Sequence, residues 1–160
     1  MPIKSKLSEQ DFINVTFVLL YSKISMKIFT GLISLFLIVS ILTATLLPNV
    51  SFSQIILPVV LLSVMPLLTY FGAKRNFLAN KRISETIEYH FDNDYLSMKG
   101  ESFNSQLTWD KVYKVTQTKN WLLIWQNRQI ANPIPKRDIW DGQISELKET
   151  LDKHKVKNNL

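Results

Sequence analysis

Residues 28–73, IFTGLISLFLIVSILTATLLPNVSFSQIILPVVLLSVMPLLTYFGA, run for 46 positions without a charged side chain. Lys23 and Lys27 stand before the run, and Lys74 and Arg75 stand after it. A helix rises about 1.5 Å per residue and the hydrocarbon core of a bilayer is about 30 Å thick, so about 18 apolar residues in a row read as a membrane span. This run is long enough for two spans and a tight turn. The first span is expected at 28–47, with Pro48 and Asn49 as the break, and the second at 53–73. Pro58 and Pro66 each take a backbone donor out of the second span, which membrane helices tolerate.

Basic residues in short flanks set orientation. The flanking bases are Lys23, Lys27, Lys74, Arg75, Lys81 and Arg82, and the turn between the spans carries no charge. Both termini are therefore expected on the cytoplasmic side of the membrane. A signal peptide fits poorly, because the apolar run starts late, is too long and is followed by a second span. The run holds no Asp, Glu, Lys, Arg or His, the usual markers of an ion pathway or proton relay. Gly31, Ser34 and Ala44 read as helix-packing positions. The hairpin is expected to be an anchor in contact with lipid.

The totals exclude several chemistries. The net charge is +6, but four bases in 74–82 leave the remainder of the C-terminal region neutral, so the excess belongs to the membrane boundary. A nucleic-acid partner is not expected, since that would concentrate bases on a folded face. There is no cysteine, hence no disulfide, thiolate site or Cys nucleophile. The two histidines, His90 and His154, have no carboxylates at ligand spacing, and no metal or cofactor is expected.

Before the run, residues 1–27 form an amphipathic segment. Ser8 can cap a helix with Asp11 at N3, while Leu7 and Phe12 occupy the positions of a hydrophobic staple. The apolar stretch Ile13–Tyr21 has three open arrangements: along the inner leaflet, against the C-terminal domain, or as an extension of span one.

After the run, residues 74–160 change to short alternating strands. They are expected at 83–91, 95–99, 103–109, 112–118, 121–126 and 129–132. Asp92-Asn93-Asp94, Gly100-Glu101, Lys119-Asn120 and Asn127-Arg128 supply the turns. Pro133 and Pro135 exclude extending the last one as a central strand. A helix capped by Asp138 follows, with Trp140, Ile144, Leu147 and Leu151 on one apolar face. The residues from His154 to Leu160 are polar and expected to fray. The fold class is a membrane α-helical hairpin plus an α+β domain. That domain is an antiparallel curled sheet closed by a C-terminal helix, a pleckstrin-homology-like (PH-like) barrel.

No residue set carries a reaction. His90 lies on the strand face opposite Ile87, Tyr89 and Phe91 without a paired acid or nucleophile, and reads as a surface residue. Trp109-Asp110-Lys111 reads as a core Trp followed by a bend. Trp121 and Trp125 share a strand face with Leu123 between them, the look of a core stripe, although Trp121 and Trp140 also suit a membrane interface. Lys136, Arg137 and the 74–82 bases could meet anionic headgroups. The turn Asp92-Asn93-Asp94, taken as joining the first two strands, would repel phosphate.

Two motifs bring a resemblance. Leu107-Thr108-Trp109-Asp110-Lys111-Val112-Tyr113-Lys114-Val115 and Ile134-Pro135-Lys136-Arg137-Asp138-Ile139, with the opening Ser8-Glu9-Gln10-Asp11-Phe12, resemble the YcxB-like family of bacterial membrane proteins. The resemblance implies a two-span anchor bearing a cytosolic PH-like domain, with Trp109, Asp110, Val112, Pro135, Lys136 and Arg137 as structural positions. It brings no enzymatic activity. The expected function is a non-catalytic membrane-anchored interaction or regulatory module, with a protein partner or self-association. The alternative is an immunity protein against a toxin acting at the inner membrane.

Overall fold

The computed structural model describes residues 2–46 and 53–160, so the expected turn at Pro48–Asn49 and the last position of span one, Leu47, lie outside the described residues. The chain divides into two compact units. One is Phe12–Ala79, and the other joins the residues up to Asp11 with Asn80–Leu160.

The helical unit takes most of α1 (Glu9–Ser22) and all of α2 (Ile24–Leu46) and α3 (Ser53–Ala79). Helix α1 starts as its sequence asks. The Ser8 amide donates to Asp11 Oδ2 at 2.9 Å and the Asp11 amide donates to Ser8 Oγ at 3.1 Å, a capping box with Asp in place of the usual Glu or Gln. The helix ends at a bend at Lys23 and does not continue into α2. Phe12, Thr16 and Leu20, one face of α1, line a groove with Leu68, Thr69, Gly72, Ala73 and Asn76 of α3. The rings of Phe12 and Phe77 stand 6.0 Å apart. The stretch Ile13–Tyr21 lies in a helix alongside α3, an arrangement outside the three left open, and it does not extend α2.

Helices α2 and α3, of 23 and 27 residues, are long and apolar enough to cross a membrane. Only Ser40 in α2 and Pro58 and Ala73 in α3 are buried, while Leu32, Leu35, Leu42, Leu57, Leu67 and Leu68 are more than half exposed. A helix of a soluble core hides a broad apolar stripe, whereas these helices leave most of their apolar side chains exposed. Their hydroxyls are satisfied within the helix. Ser40, Thr43, Ser63 and Thr69 each donate to the carbonyl four residues back, at 2.8–3.0 Å. Helix α3 runs unbroken through Pro58 and Pro66, and both helices pass the ends of the charge-free run, so Lys27, Lys74 and Arg75 are helical residues.

The other unit holds two antiparallel sheets. The first has the order β1 (Pro2–Lys6), β2 (Thr86–Phe91), β3 (Tyr95–Lys99), β4 (Asn104–Thr108). The second has the order β5 (Lys114–Gln117), β6 (Trp121–Trp125), β7 (Ala131–Pro135), and α4 (Asp141–Lys153) follows it. Tyr89, Phe91, Leu96 and Met98 from the first sheet join Val115, Leu122, Ile124 and Ile134 from the second, and Leu147 and Leu151 of α4, in one core cluster. Gly100 makes the tight turn after β3, where any Cβ would collide with the Phe103 ring.

Several expectations are corrected. No strand was foreseen before Ser8, yet β1 pairs with β2 from Pro2↔His90 to Lys6↔Thr86, with Ile3 and Ser5 buried. The turn Asp92-Asn93-Asp94 therefore joins the second and third strands, and the connection between the first two is the whole helical unit. Strand β2 begins only at Thr86, because Lys81–Ser84 winds into a 3-10 turn capped by Asn80. Strand β7 lies further along than expected and contains both prolines. It is an edge strand, and Pro133 and Pro135 have the same parity. The Lys136 amide, of opposite parity, donates inward to Asn120 O at 2.9 Å, so the missing donors point away from β6. On β6 it is Leu122 and Ile124 that join the core cluster, while Trp121, Leu123 and Trp125 are buried on the opposite face. Trp121 is thus not an open membrane contact.

The closing helix starts three residues later than Asp138. Its first residue is preceded by Trp140, whose amide donates to Gln143 Oε1 at 2.9 Å, and the Trp140 side chain is 81% exposed instead of facing the core. The residues after it do not fray. Lys155 takes φ 56°, its amide reaches Asp152 O at 3.1 Å, and the Val156 amide reaches Leu151 O at 2.8 Å, a Schellman ending. Val156 and Leu151 both enter the core cluster. A left-handed residue other than glycine costs about 1 kcal/mol. Lys155→Gly is therefore expected to raise the unfolding midpoint slightly, by the equivalent of about 0.5–1 kcal/mol in denaturant titration.

Candidate interaction surface

The motif residues divide between core and cross-links. Trp109 is 2% exposed and stacks between Phe91 and His154, at centroid distances of 6.4 and 6.0 Å. Its Nε1 donates to Asp92 O at 3.0 Å, tying the 3-10 turn Trp109–Lys111 to the β2–β3 turn. Val112 and Pro135 are buried, whereas Asp110 and Lys111 are exposed. This is the arrangement of a core Trp followed by a bend.

Lys136 and Arg137 follow β7 in a 3-10 turn, Lys136–Asp138. Lys136 Nζ donates to Gln117 Oε1 on β5 at 2.6 Å. Arg137 grips Asp11 with two bonds, Nη1 to Oδ1 at 2.8 Å and Nη2 to Oδ2 at 2.5 Å. Asp138 accepts from Ser5 Oγ at 2.8 Å. The Arg137 guanidinium and the Ser8 donors together hold the Asp11 carboxyl well below the usual carboxylate range. These two bases are committed to partners within the fold, so a headgroup role for them would compete with those bonds. The sequence marked Arg137, but its carboxylate 126 residues away was invisible.

The remaining bases have different settings. Lys23 sits at the bend between α1 and α2, and Lys27 follows in the first turn of α2. Lys74 and Arg75 line a shallow face of α3 with Phe71 and Leu78. In the other unit, Arg82 lies over the Phe103 ring at 4.7 Å from its centroid, and Lys81 is exposed.

Some titratable groups outside the motifs form pairs. His90 is 3.7 Å from Glu88, which itself meets Lys4 at 2.6 Å across β1 and β2. The Lys4 bond lowers the Glu88 carboxyl, the Ser102 donors lower that of Glu85, and burial raises the Tyr89 phenol. Among the described residues, no three His, Asp or Glu side chains converge in a way that would hold a metal.

What offers contact to a second molecule is a set of strand edges. The outer edge of β7 carries two prolines, and β4 ends the four-stranded sheet with mostly exposed polar residues. The outer edge of β5 is taken by the chain itself. Val115 forms a parallel bridge with Asn158, and its amide donates to Lys157 O at 2.9 Å. Residues 157–160 have no strand periodicity, so this closed edge leaves no mark in the sequence.

Two long apolar helices and a two-sheet α+β unit define the class of protein. Within the second unit, residues 91–151, from the end of β2 through most of α4, match the family model described as YcxB-like protein. The segment contains both motifs on which the resemblance rested. No curated protein and no solved structure matches the chain.

Proposed function

We propose that the protein is a membrane-anchored, non-catalytic interaction or regulatory module. Helices α2 and α3 form a two-span anchor in a bacterial cytoplasmic membrane, and the two-sheet unit is a cytosolic PH-like domain. Seven strands in sheets of four and three, followed by one helix, support the PH-like reading. The bare apolar surface of α2 and α3 supports the anchor.

The observation that carries the topology is the pairing of β1 with β2. Five consecutive residue pairs join Pro2–Lys6 to Thr86–His90, and the whole hairpin lies between them in the chain. Both flanks of the hairpin must then be on the same side of any bilayer it crosses. The bases at Lys23, Lys27, Lys74, Arg75, Lys81 and Arg82 favour the cytoplasm as that side.

The absence of cysteine makes the test clean. Single-cysteine variants S105C, on exposed β4, and S51C, between the two helices in sequence, are treated with an impermeant maleimide in spheroplasts. S51C is expected to label in intact spheroplasts and S105C only after permeabilisation. Labelling of S105C from outside would overturn the reading, as would release of the chain from membranes by carbonate.

A further inference from the structure

Each of the two sheets has two edge strands, and among the described residues three of these edges are blunted or filled. The outer edge of β1 presents Pro2, which has no amide hydrogen, and the exposed bases Lys4 and Lys6. Pro2 O also accepts from Gln143 Nε2 at 3.4 Å. Pro133 and Pro135 blunt β7, and residues 157–160 fill the edge of β5. Proline, lysine and a covering segment are the ordinary means of keeping an edge from pairing with another molecule.

Strand β4 has none of them. Asn104-Ser105-Gln106-Leu107-Thr108 carries no charge and no proline, and its register with β3 runs without a bulge. Its one neighbour in the sheet is β3. The Gly100 amide donates to Phe103 O at 2.9 Å, and antiparallel bonds alternate from there, so Ser105 and Leu107 bond to β3. The amides of Asn104, Gln106 and Thr108 point the other way. Leu107 packs on the core cluster and fixes the strand, while Asn104, Gln106 and Thr108 are exposed. An ordered row of outward amides with no device against pairing is a template for one more strand.

The edge is complementary to itself. When two copies meet antiparallel about Gln106, each Gln106 exchanges both of its main-chain bonds with the other. Each Thr108 amide then reaches the Asn104 carbonyl of the second copy. The side chains that stand across the pair, Gln106 beside Gln106 and Asn104 beside Thr108, are uncharged, so no like charges oppose. The charges lie just beyond the strand. Glu101 and Lys111, both exposed, are equidistant in sequence from Gln106. The antiparallel pair therefore brings each Glu101 to the end that holds the other copy's Lys111. A parallel pair would set like on like.

We propose that β4 is a self-association edge, where two copies of the chain join their four-stranded sheets antiparallel about Gln106, with Glu101 towards Lys111 at each end. The proposal rests on the interaction-module reading and names a second copy as the partner. An edge of five residues is small beside a standard interface of about 1,600 Å², so the pair draws on confinement of the copies to one membrane.

The chain has no cysteine, so a single one reports the pair. In this register the two Gln106 Cα atoms stand about 5.5 Å apart, within the span of about 4.4–6.8 Å that a disulfide bridges. The two Asn104 Cα atoms stand about 14 Å apart, beyond that span. In isolated membranes treated with copper phenanthroline, Gln106→Cys is expected to form a disulfide dimer about tenfold faster than Asn104→Cys. Co-expressed Asn104→Cys and Thr108→Cys are expected to join each other. Adding Lys111→Glu to Gln106→Cys is expected to slow the dimer about fivefold, and co-expression with a Glu101→Lys form to restore it, because opposite charges meet again. Equal rates for Gln106→Cys and Asn104→Cys, no dimer of Gln106→Cys, or its adducts with a different protein overturn the proposal, provided the variant keeps a cooperative thermal transition. If it does not, the Asn104→Cys and Thr108→Cys pair replaces it, with the same expected dimer and the same disproof. An amine crosslinker on the cysteine-free chain separates the two levels. Adducts with other proteins and no Gln106→Cys dimer sink the edge alone, and no adduct of any kind sinks the module reading.

Discussion

Trp109→Ala is expected to destabilise the two-sheet unit by about 3–5 kcal/mol, the range for removing a buried large aromatic. Three losses combine. The indole is 2% exposed, so its removal leaves a cavity among residues that include Val112 and Leu151 of the same cluster. Its stacking on Phe91 and His154 disappears. The Asp92 carbonyl loses its Nε1 donor and with it the tie between two turns. A domain of this size has only about 5–15 kcal/mol in total, so partial unfolding at physiological temperature is expected. Trp109→Phe should fall between, keeping most of the stacking and losing the hydrogen bond. Asp110→Ala and Lys111→Ala, at exposed positions, are expected to stay within about 0.5 kcal/mol. Far-UV circular dichroism against urea in detergent measures all four. A Trp109→Ala cost below 1 kcal/mol would mean that the motif Trp is not a core residue.

The two long apolar helices were legible in the sequence because a charge-free run of dozens of residues is read without any tertiary contact. The strands from Tyr95 to Trp125 were legible for a related reason, as their turns are local: Asp92-Asn93-Asp94, Gly100 and Lys119-Asn120 mark them. Strand β1 was hidden because five residues with a single large apolar side chain give no periodicity, and its partner begins 80 residues later at Thr86. Strand β7 was mis-set because a proline excludes only positions whose amide must face a neighbour. That depends on edge status, which local sequence does not carry.

The closing residues show the same limit from another side. Lys155 in the left-handed region sends the chain back along β5, and no local rule favours lysine there. Trp140 was placed on the apolar face of α4 by spacing, but the helix begins after it, so the 3.6-residue period did not yet apply. Of the structural motif residues, the core roles of Trp109 and Val112 follow from hydrophobicity alone. The cross-links of Lys136 and Arg137 need Gln117 and Asp11, residues that only the fold brings near. The boundary between the two units at Asp11 and Phe12 has the same origin. It falls inside α1, where the sequence shows one continuous helix.

Asp11→Ala is expected to cost about 2–3 kcal/mol, because this carboxylate performs two tasks at once. It completes the capping box of α1 with Ser8, where loss of a cap costs about 1 kcal/mol. It also receives both prongs of Arg137, a bidentate charge-assisted pair that is stronger than a neutral hydrogen bond. The Arg137 side chain is more than half exposed, which moderates the electrostatic share. The pair can be isolated by a double-mutant cycle. Arg137→Ala alone should cost less than Asp11→Ala, since Ser8 keeps its acceptor, and the double variant should cost less than the sum. The pH dependence has a definite sign. The folded carboxyl titrates below its ordinary value near 3.8, so the unfolded chain takes up the proton first as pH falls. The stabilisation is fully present above about pH 5 and fades through the acid range below about pH 4. Urea midpoints for the wild type and Asp11→Asn are therefore expected to differ at pH 7 and to draw steadily closer as pH falls below about 4. A gap that stays constant across that range would assign the effect to shape instead of charge, and would remove the ion pair as the link between the first helix and the turn after β7.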